Sequence, residues 1–290
     1  MKYGIYYAFW EKQWGGEFRP YVKKVRDLGF DILEISCATL PQTPDSEMVE
    51  LGQLAKEAGI TLTAGYGPAP CYDLSSPDPS VVQNGLHFYR QVFAKMALAD
   101  IHFVGGGLYS HWPVDFSKPI DKQADWQRSV NGVRQLADMA AGFDITLGME
   151  VLNRFEGYLL TCAAEGVAYV KEVDRPNVKV MLDTFHMNIE EDSFTEAILT
   201  AGDALGHFHI GECNRKLPGQ GRIPWEEIGS ALRQIGYDGN VVMEPFILSG
   251  GQVGQDIKVW RDISAGKSPA QIDRETAESV AYVRRVFEGR

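Results

Sequence analysis

The sequence predicts an α/β protein that folds as a closed (β/α)8 barrel, the TIM-barrel type. Eight short runs of strand-forming residues recur at intervals of roughly 28 to 45 residues, about the length of a strand plus a returning helix. Between these runs, apolar residues recur at helical spacing and stop at a glycine. Because alternating strands and helices pair in parallel through right-handed crossovers, eight such units favour a closed ring.

The predicted strands follow one another along the whole chain. They are YGIYYAF around Ile5, DILEIS around Leu33, ITLTAG around Leu62, IHFVGG around Phe103, ITLGMEV around Leu147, VKVMLD around Val180, LGHFHIG around Phe208 and NVVMEPF around Val242.

Three of the intervening segments show a clear apolar helical face. These faces comprise Tyr21, Val25 and Leu28 before Gly29; Leu51, Leu54, Ala55 and Ala58 before Gly59; and Val133, Leu136, Ala137 and Ala140 before Gly142. A glycine just past such a face is a common helix end. An open doubly wound sheet is the alternative fold, but no GxGxxG motif follows the first strand. Since no linker interrupts the pattern, we expect residues 1–290 to form one domain.

Composition and charge argue against several classes of partner. The net charge of −11 and the lack of a basic stripe disfavour nucleic acid. No apolar run is long enough to span a bilayer, and the N-terminus lacks signal-peptide features. The four cysteines are scattered, with no CxxC pair, which is typical of reduced thiols. We therefore expect a cytoplasmic protein with neither a nucleic-acid nor a membrane partner.

Four residues that can bind a metal stand at the ends of the last four predicted strands. They are Glu150, Asp183, His209 and Glu244. Active sites of these barrels lie at the carboxyl ends of the strands, so the four side chains should converge. A single acid at a strand end is commonly a helix N-cap, but four on neighbouring strands favour a shared cation. Three carboxylates and one imidazole suit one Mn²⁺, Co²⁺ or Mg²⁺ ion rather than a structural zinc.

Further polar and aromatic residues follow in the strand-to-helix loops. Glu156, His186 and Arg215 come shortly after Glu150, Asp183 and His209, respectively, and could bind substrate hydroxyls and a carbonyl. Each alone could equally be an ordinary polar loop residue. The aromatic residues Tyr6, Trp14, Trp112 and Phe246 gather at the same end, where they could stack on a sugar or simply pack. The glycine run 105–107 is interpreted as a tight turn.

These motifs together resemble one family. GIYYAFW, EVLNRFE, VMLDTFHMNIEED, GHFHIGECNR and VVMEPF are similar to the ketose 3-epimerases, the D-tagatose and D-psicose (D-allulose) 3-epimerase group. The resemblance implies a barrel enzyme that uses Mn²⁺ or Co²⁺ and assembles as a homo-dimer or homo-tetramer. It implies metal ligands at Glu150, Asp183, His209 and Glu244, substrate contacts at Glu156, His186 and Arg215, and an apolar lining at Trp14, Trp112 and Phe246.

One segment departs from the family pattern. The family usually reads GGALYSYW after the fourth strand, whereas this chain reads GGGLYSHW, with Gly107 and His111 at the changed positions. Both flank the pocket wall near Leu108 and Trp112. We expect Leu108, and Tyr6 after the first strand, to contact the sugar. The departures concern the ranking of substrates rather than the chemistry.

The resemblance implies inversion at C3 of a free ketose through a cis-enediolate. Two bases on opposite faces are needed, and Glu150 and Glu244 come from non-adjacent strands. The sequence contains no phosphate-cradling loop, so free sugars are expected. An aldose–ketose isomerase on the same barrel is the alternative. A phosphodiesterase of the endonuclease IV type would have many more histidines and a basic groove, so the six histidines and the acidic charge of this chain argue against it. The presence of both candidate bases argues against a catalytically inactive sugar-binding module.

Overall fold

The computed structural model describes residues 1–289, whose centre is a closed ring of eight parallel strands paired in sequence order, with the last strand paired to the first. This confirms the predicted (β/α)8 barrel. The strands are Lys2–Tyr6 (β1), Ile32–Ser36 (β2), Thr61–Gly65 (β3), Phe103–Gly106 (β4), Thr146–Glu150 (β5), Val178–Asp183 (β6), Leu205–Ile210 (β7) and Asn240–Met243 (β8).

Helices connect each strand to the next. They are Arg19–Asp27 (α1), Asp45–Ala58 (α2), Pro79–Leu98 (α3), Lys122–Ala141 (α4), Ala163–Val173 (α5), Thr184–Glu190 (α6), Phe194–Ala201 (α7), Trp225–Gln234 (α8), Gly251–Asp256 (α9) and Pro269–Glu288 (α10). The short helices α6 and α9 are additions to the eight-unit pattern; α6 directly follows β6, and α9 lies in the segment between β8 and α10. The sequence did not predict them as separate elements, and both carry residues of the site.

The predicted helical faces lie in α1, α2 and α4, and each of these helices ends within two residues of the expected glycine. Gly59 shows why glycine stands there: it adopts a φ of 70°, and its N–H caps the carbonyls of the last turn of α2. Buried side chains on the inner face, such as Val25 of α1 and Leu136 of α4, pack the helices onto the barrel. Among residues 1–289, no helix combines the length and the apolar character that crossing a membrane requires.

Large side chains fill the barrel interior because Gly105 of β4 and Gly148 of β5, which are partners in the strand register, leave room for them. A Cβ on Gly105 would lie 2.4 Å from Sδ of Met181, and one on Gly148 would lie 2.5 Å from the Phe103 ring. The Phe103 ring stacks on His207 with 4.3 Å between centroids. The layer containing Phe103 and His207 forms a packed floor, so the space available to a ligand lies above it, at the carboxyl ends of the strands.

Candidate metal centre and active site

The four predicted ligands meet at the mouth of the barrel. Glu150 and Asp183 are the last residues of β5 and β6, His209 precedes the last residue of β7, and Glu244 directly follows β8. Asp183 and His209 are direct partners in the strand register, which places them side by side. One ligand atom from each of the four residues lies within 4.8 Å of the other three. The spacing is that of side chains able to surround one ion.

His209 has the orientation that a metal ligand needs. Its Nδ1 atom is buried and has no hydrogen-bond partner within residues 1–289. Nδ1 lies 3.9 Å from Oε1 of Glu150 and 3.7 Å from Oε1 of Glu244, too far for a hydrogen bond. A buried nitrogen aimed between two carboxylates is satisfied by a cation, so the donor set of three oxygens and one nitrogen fits a hard or borderline divalent ion.

Asp183 combines the two roles that the sequence left open. Its Oδ1 accepts a hydrogen bond of 2.8 Å from the backbone N–H of Phe185, which caps the N-terminus of α6. Its Oδ2 faces the cluster and accepts a hydrogen bond of 3.1 Å from Nη1 of Arg215. The cap therefore fixes the carboxylate so that its second oxygen points to the ion site.

The electrostatics of the cluster separate the two glutamates. Burial, together with the charge of Glu244, raises the pKa of Glu150 well above its ordinary value. Burial also opposes ionisation of Glu244, but His209 and Arg215 outweigh it and hold the pKa of Glu244 below its ordinary value. A divalent ion would stabilise both carboxylates and reverse the shift at Glu150.

Arg215 links the cluster to the substrate space. Its guanidinium lies 3.7 Å from the centroid of the Phe185 ring, and Nη1 donates to Oε2 of Glu244 over 2.8 Å. Its Nη2 lies 3.9 Å from Oε1 of Glu156. Arg215 is 5% exposed and adopts a positive φ of 63°, so the backbone bends sharply to bring the side chain inward.

His186 is held by Asn153, a residue that the sequence analysis did not single out. The backbone N–H of Asn153 lies 3.2 Å from Nδ1 of His186, and its side-chain amide lies 2.7 Å from the same atom. Two donors on Nδ1 leave the proton on Nε2, which lies 3.7 Å from Oε1 of Glu150. The same amide donates to Glu156 over 3.1 Å, so Asn153 orients both residues.

A cavity of about 420 Å³ opens directly above the cluster. Its lining includes Glu150, Glu244 and His209, the polar residues Glu156, His186 and Arg215, and the aromatic residues Tyr6, Trp14 and Trp112. Nε1 of Trp14 donates to Oδ2 of Asp256 over 2.7 Å, which ties the loop after β1 to α9. An apolar wall with a few converging polar groups is the usual form of a small-molecule site.

Three details of the predicted pocket differ in position in the structure. Leu108 is fully buried and lies outside the cavity lining, where Gly107 and Leu152 form the wall instead. Phe246 is also buried outside the lining and supports the wall from behind, edge-on to the rings of Tyr6 and Trp14. Within the glycine run 105–107, interpreted as a tight turn, Gly105 and Gly106 end β4 and only Gly107 lies in the bend that follows; all three line the cavity.

Some lining residues were missed because they lie on an unpredicted helix or in a loop after a predicted strand. Gln252 and Asp256 belong to α9, and Tyr66 follows β3. Glu34 of β2, buried below the cluster, was also missed, although a glutamate inside the apolar run DILEIS is an unusual residue that could have drawn attention.

Comparison with known proteins shows the fold family of the chain and its similar relatives. Residues 22–263 match the xylose isomerase-like TIM barrel family. The chain is 54% identical to the D-psicose 3-epimerase of Ruminiclostridium cellulolyticum over 99% of this chain and 98% of that one. It is 52% identical to the D-psicose 3-epimerase of Agrobacterium fabrum over the full length of both.

The fold agrees equally closely with a solved structure. The crystal structure of D-psicose 3-epimerase with D-tagatose from Clostridium cellulolyticum H10 superposes with a TM-score of 0.98 at 54% identity, covering 99% of each chain. The chain therefore belongs to the ketose 3-epimerase family, within the xylose isomerase-like TIM barrels.

Proposed function

We propose that this protein epimerises free ketoses at C3, with the D-fructose/D-psicose and D-tagatose/D-sorbose pairs as its substrates. The observation that carries the proposal is the pair Glu150 and Glu244, which come from strands separated by β6 and β7 and face the same ion site below an open cavity. Full-length relatives at 54% and 52% identity, both D-psicose 3-epimerases, support it.

The metal is proposed to be one Mn²⁺ or Co²⁺ per subunit, with Mg²⁺ as a further candidate, held by Glu150, Asp183, His209 and Glu244. A bound divalent ion supplies stabilisation of the negative charge that develops on the sugar oxygens when C3 loses its proton. The donor set carries three negative charges at most and no thiolate, which suits such an ion.

The side chains of the chain itself move the proton and hold the sugar. One glutamate of the Glu150–Glu244 pair takes the C3 proton, and the other returns a proton to the opposite face of the planar enediolate; the roles exchange in the reverse direction. His186 donates from Nε2 and Arg215 from its guanidinium to oxygens at the C1–C2 end, while the Glu156 carboxylate accepts from a hydroxyl. These contacts position the sugar so that only C3 lies between the two bases.

Product analysis tests this function directly. With D-fructose and Mn²⁺, we expect D-psicose and no aldose by sugar chromatography. In D₂O, NMR of the product should show deuterium at C3 and not at C1. An aldose product, or deuterium at C1, would instead establish the aldose–ketose isomerase alternative. Protein treated with EDTA serves as a control, because contaminating isomerases that need no metal would remain active.

Replacing Gly107 by alanine should alter the substrate ranking without harming the fold. A Cβ at position 107 would find its nearest neighbour at 3.6 Å, the Cδ1 atom of Leu152, and the position does not need a positive φ. The added methyl narrows the cavity at this wall. We therefore expect the kcat/KM for D-fructose divided by that for D-tagatose to change about three- to tenfold. The melting temperature should be unchanged or slightly raised.

Gly106 provides the matched control for that change. It has a φ of +127°, and a Cβ there would lie 2.2 Å from the carbonyl oxygen of Tyr66. Gly106→Ala should therefore lower stability, whereas Gly107→Ala should not. An unchanged ratio of kcat/KM in Gly107→Ala would show that this wall does not select the substrate.

Assembly and location are also proposed. We infer a homo-dimer or homo-tetramer, in which a second copy would cover the large side chains of Phe155, 69% exposed, and Trp260, 75% exposed. We infer that the protein works in the cytoplasm, supported by the four cysteines, which are all unpaired. Its partner is the ketose itself, without nucleic acid or membrane.

A further inference from the structure

Glu34 is a buried carboxylate that the proposed chemistry does not use. It lies in β2, is 1% exposed, and stands inside the barrel below the four-residue cluster. Its Oε1 is hydrogen-bonded over 2.6 Å to Nε2 of His209. Its Oε2 accepts a hydrogen bond of 2.8 Å from Oγ1 of Thr63 and lies 3.0 Å from Nε2 of His207. A carboxylate so deeply buried requires partners of this kind.

The group formed by Glu34, His207 and His209 could itself be taken for a second metal site. The distances argue against this. Ligand atoms bound to one ion at about 2.1 Å are separated from each other by about 3 Å or more. Oε1 of Glu34 and Nε2 of His209 are only 2.6 Å apart, the length of a strong hydrogen bond. The pair is therefore a direct contact between carboxylate and imidazole.

That contact decides which nitrogen of His209 carries the proton. Because a carboxylate only accepts, the proton must be on Nε2. Nδ1 then presents its lone pair towards Glu150 and Glu244, where the ion would bind. We propose that Glu34 is a positioning residue for the metal site: it fixes the Nε2–H tautomer and the ring orientation of His209. This inference rests on the proposed metal-dependent function.

A neutral amide at position 34 could not do the same. Glutamine offers a single oxygen to three groups, since Thr63, His207 and His209 all approach the carboxylate. If its NH₂ group faced His209, Nε2 would have to accept, and the proton would move to Nδ1, on the side of the ion. Carboxylate partners of this kind also make the ligand nitrogen a better donor to the metal, and their loss typically weakens metal affinity 10- to 100-fold.

The test compares two variants in the same buried group. We expect Glu34→Gln to bind Mn²⁺ about 10- to 100-fold more weakly than the wild-type protein, measured from the EPR signal of free Mn²⁺. The control is His207→Gln, which changes an equally buried neighbour but leaves the bond between Oε1 and His209 in place; its affinity should stay within about threefold. The Co²⁺ absorption spectrum should shift in Glu34→Gln and not in His207→Gln.

Other results would overturn the inference. Equal Mn²⁺ affinity in Glu34→Gln and wild type would do so, as would an equal loss in both variants, which would indicate general damage to the core. If Glu34→Gln does not fold, nitrogen-15 NMR of the metal-free wild-type protein, at a pH at which His209 is neutral, still decides the matter: His209 must carry its proton on Nε2, and a proton on Nδ1 contradicts the proposal. Failure of the wild-type protein to bind Mn²⁺ would instead reject the proposed function.

Discussion

Glu150→Gln and Glu244→Gln should each abolish epimerisation while leaving the fold intact. Each glutamate is asked to transfer one proton at C3, and glutamine cannot accept or return it. General acid–base groups typically contribute about 10²–10⁴-fold, so we expect kcat to fall at least that far in either variant. Loss of one ligand charge should reduce metal affinity as well. Turnover is therefore measured at saturating Mn²⁺, with the bound metal determined for each protein.

A glutamate on the outer ring of helices provides the control. Glu172 of α5 accepts hydrogen bonds from the indole N–H of Trp126 through Oε2 and from the amide of Gln127 through Oε1, and it is not part of the cavity lining. Glu172→Gln retains an acceptor oxygen and should keep normal kcat. Near wild-type turnover in either Glu150→Gln or Glu244→Gln would reject the two-base scheme, because a single remaining glutamate cannot serve both faces.

Removal of divalent ions should also silence the enzyme. Glu150, Asp183 and Glu244 are clustered carboxylates, and without an ion their repulsion opposes the geometry needed for catalysis. We expect EDTA to abolish activity and Mn²⁺ or Co²⁺ to restore it. Because the ion binds only the folded protein, addition of Mn²⁺ at about 100 times its Kd should stabilise the fold by about 2.7 kcal/mol, seen as a higher melting temperature.

Asp183→Asn is the matched variant for this measurement. Asparagine is as good an N-cap as aspartate, so α6 keeps its cap on the N–H of Phe185. The variant loses one ligand charge, and we expect a smaller Mn²⁺-dependent rise in melting temperature and lower activity at limiting Mn²⁺. Full activity of the wild-type protein after complete metal removal would contradict the assignment of the site.

The sequence was sufficient for the ring of strands and for the polar residues at its carboxyl end. Alternating strands and helices admit few topologies, and a metal-binding residue after an apolar run is conspicuous. Glu150, Asp183, His209 and Glu244 do converge in the structure. The features that the sequence did not reveal depend on how deep a residue lies in the barrel and on the conformation of the loops. Period-two alternation tells which face a strand residue occupies, but not whether it lies at the mouth or, like Glu34, in the layer below.

Loop geometry explains the remaining differences. Leu108 and Gly107 are adjacent in sequence, yet only Gly107 reaches the cavity, because the chain turns after β4 in a way that spacing does not reveal. In the sequence, Asn153 is only one residue of the motif EVLNRFE. Its role in orienting His186 and Glu156 depends on a loop that brings its amide to both side chains. Such contacts follow from the folded backbone rather than from local patterns.

Exchange of the C3 hydrogen in the two glutamine variants tests the central claim most directly. In D₂O with bound Mn²⁺, each variant keeps one base and therefore one face of the sugar. We expect Glu150→Gln to exchange deuterium into C3 of only one of D-fructose and D-psicose, and Glu244→Gln to exchange it into only the other, neither forming the epimer. Exchange of the same sugar by both metal-loaded variants, or of neither, would contradict the placement of the two glutamates on opposite faces of C3.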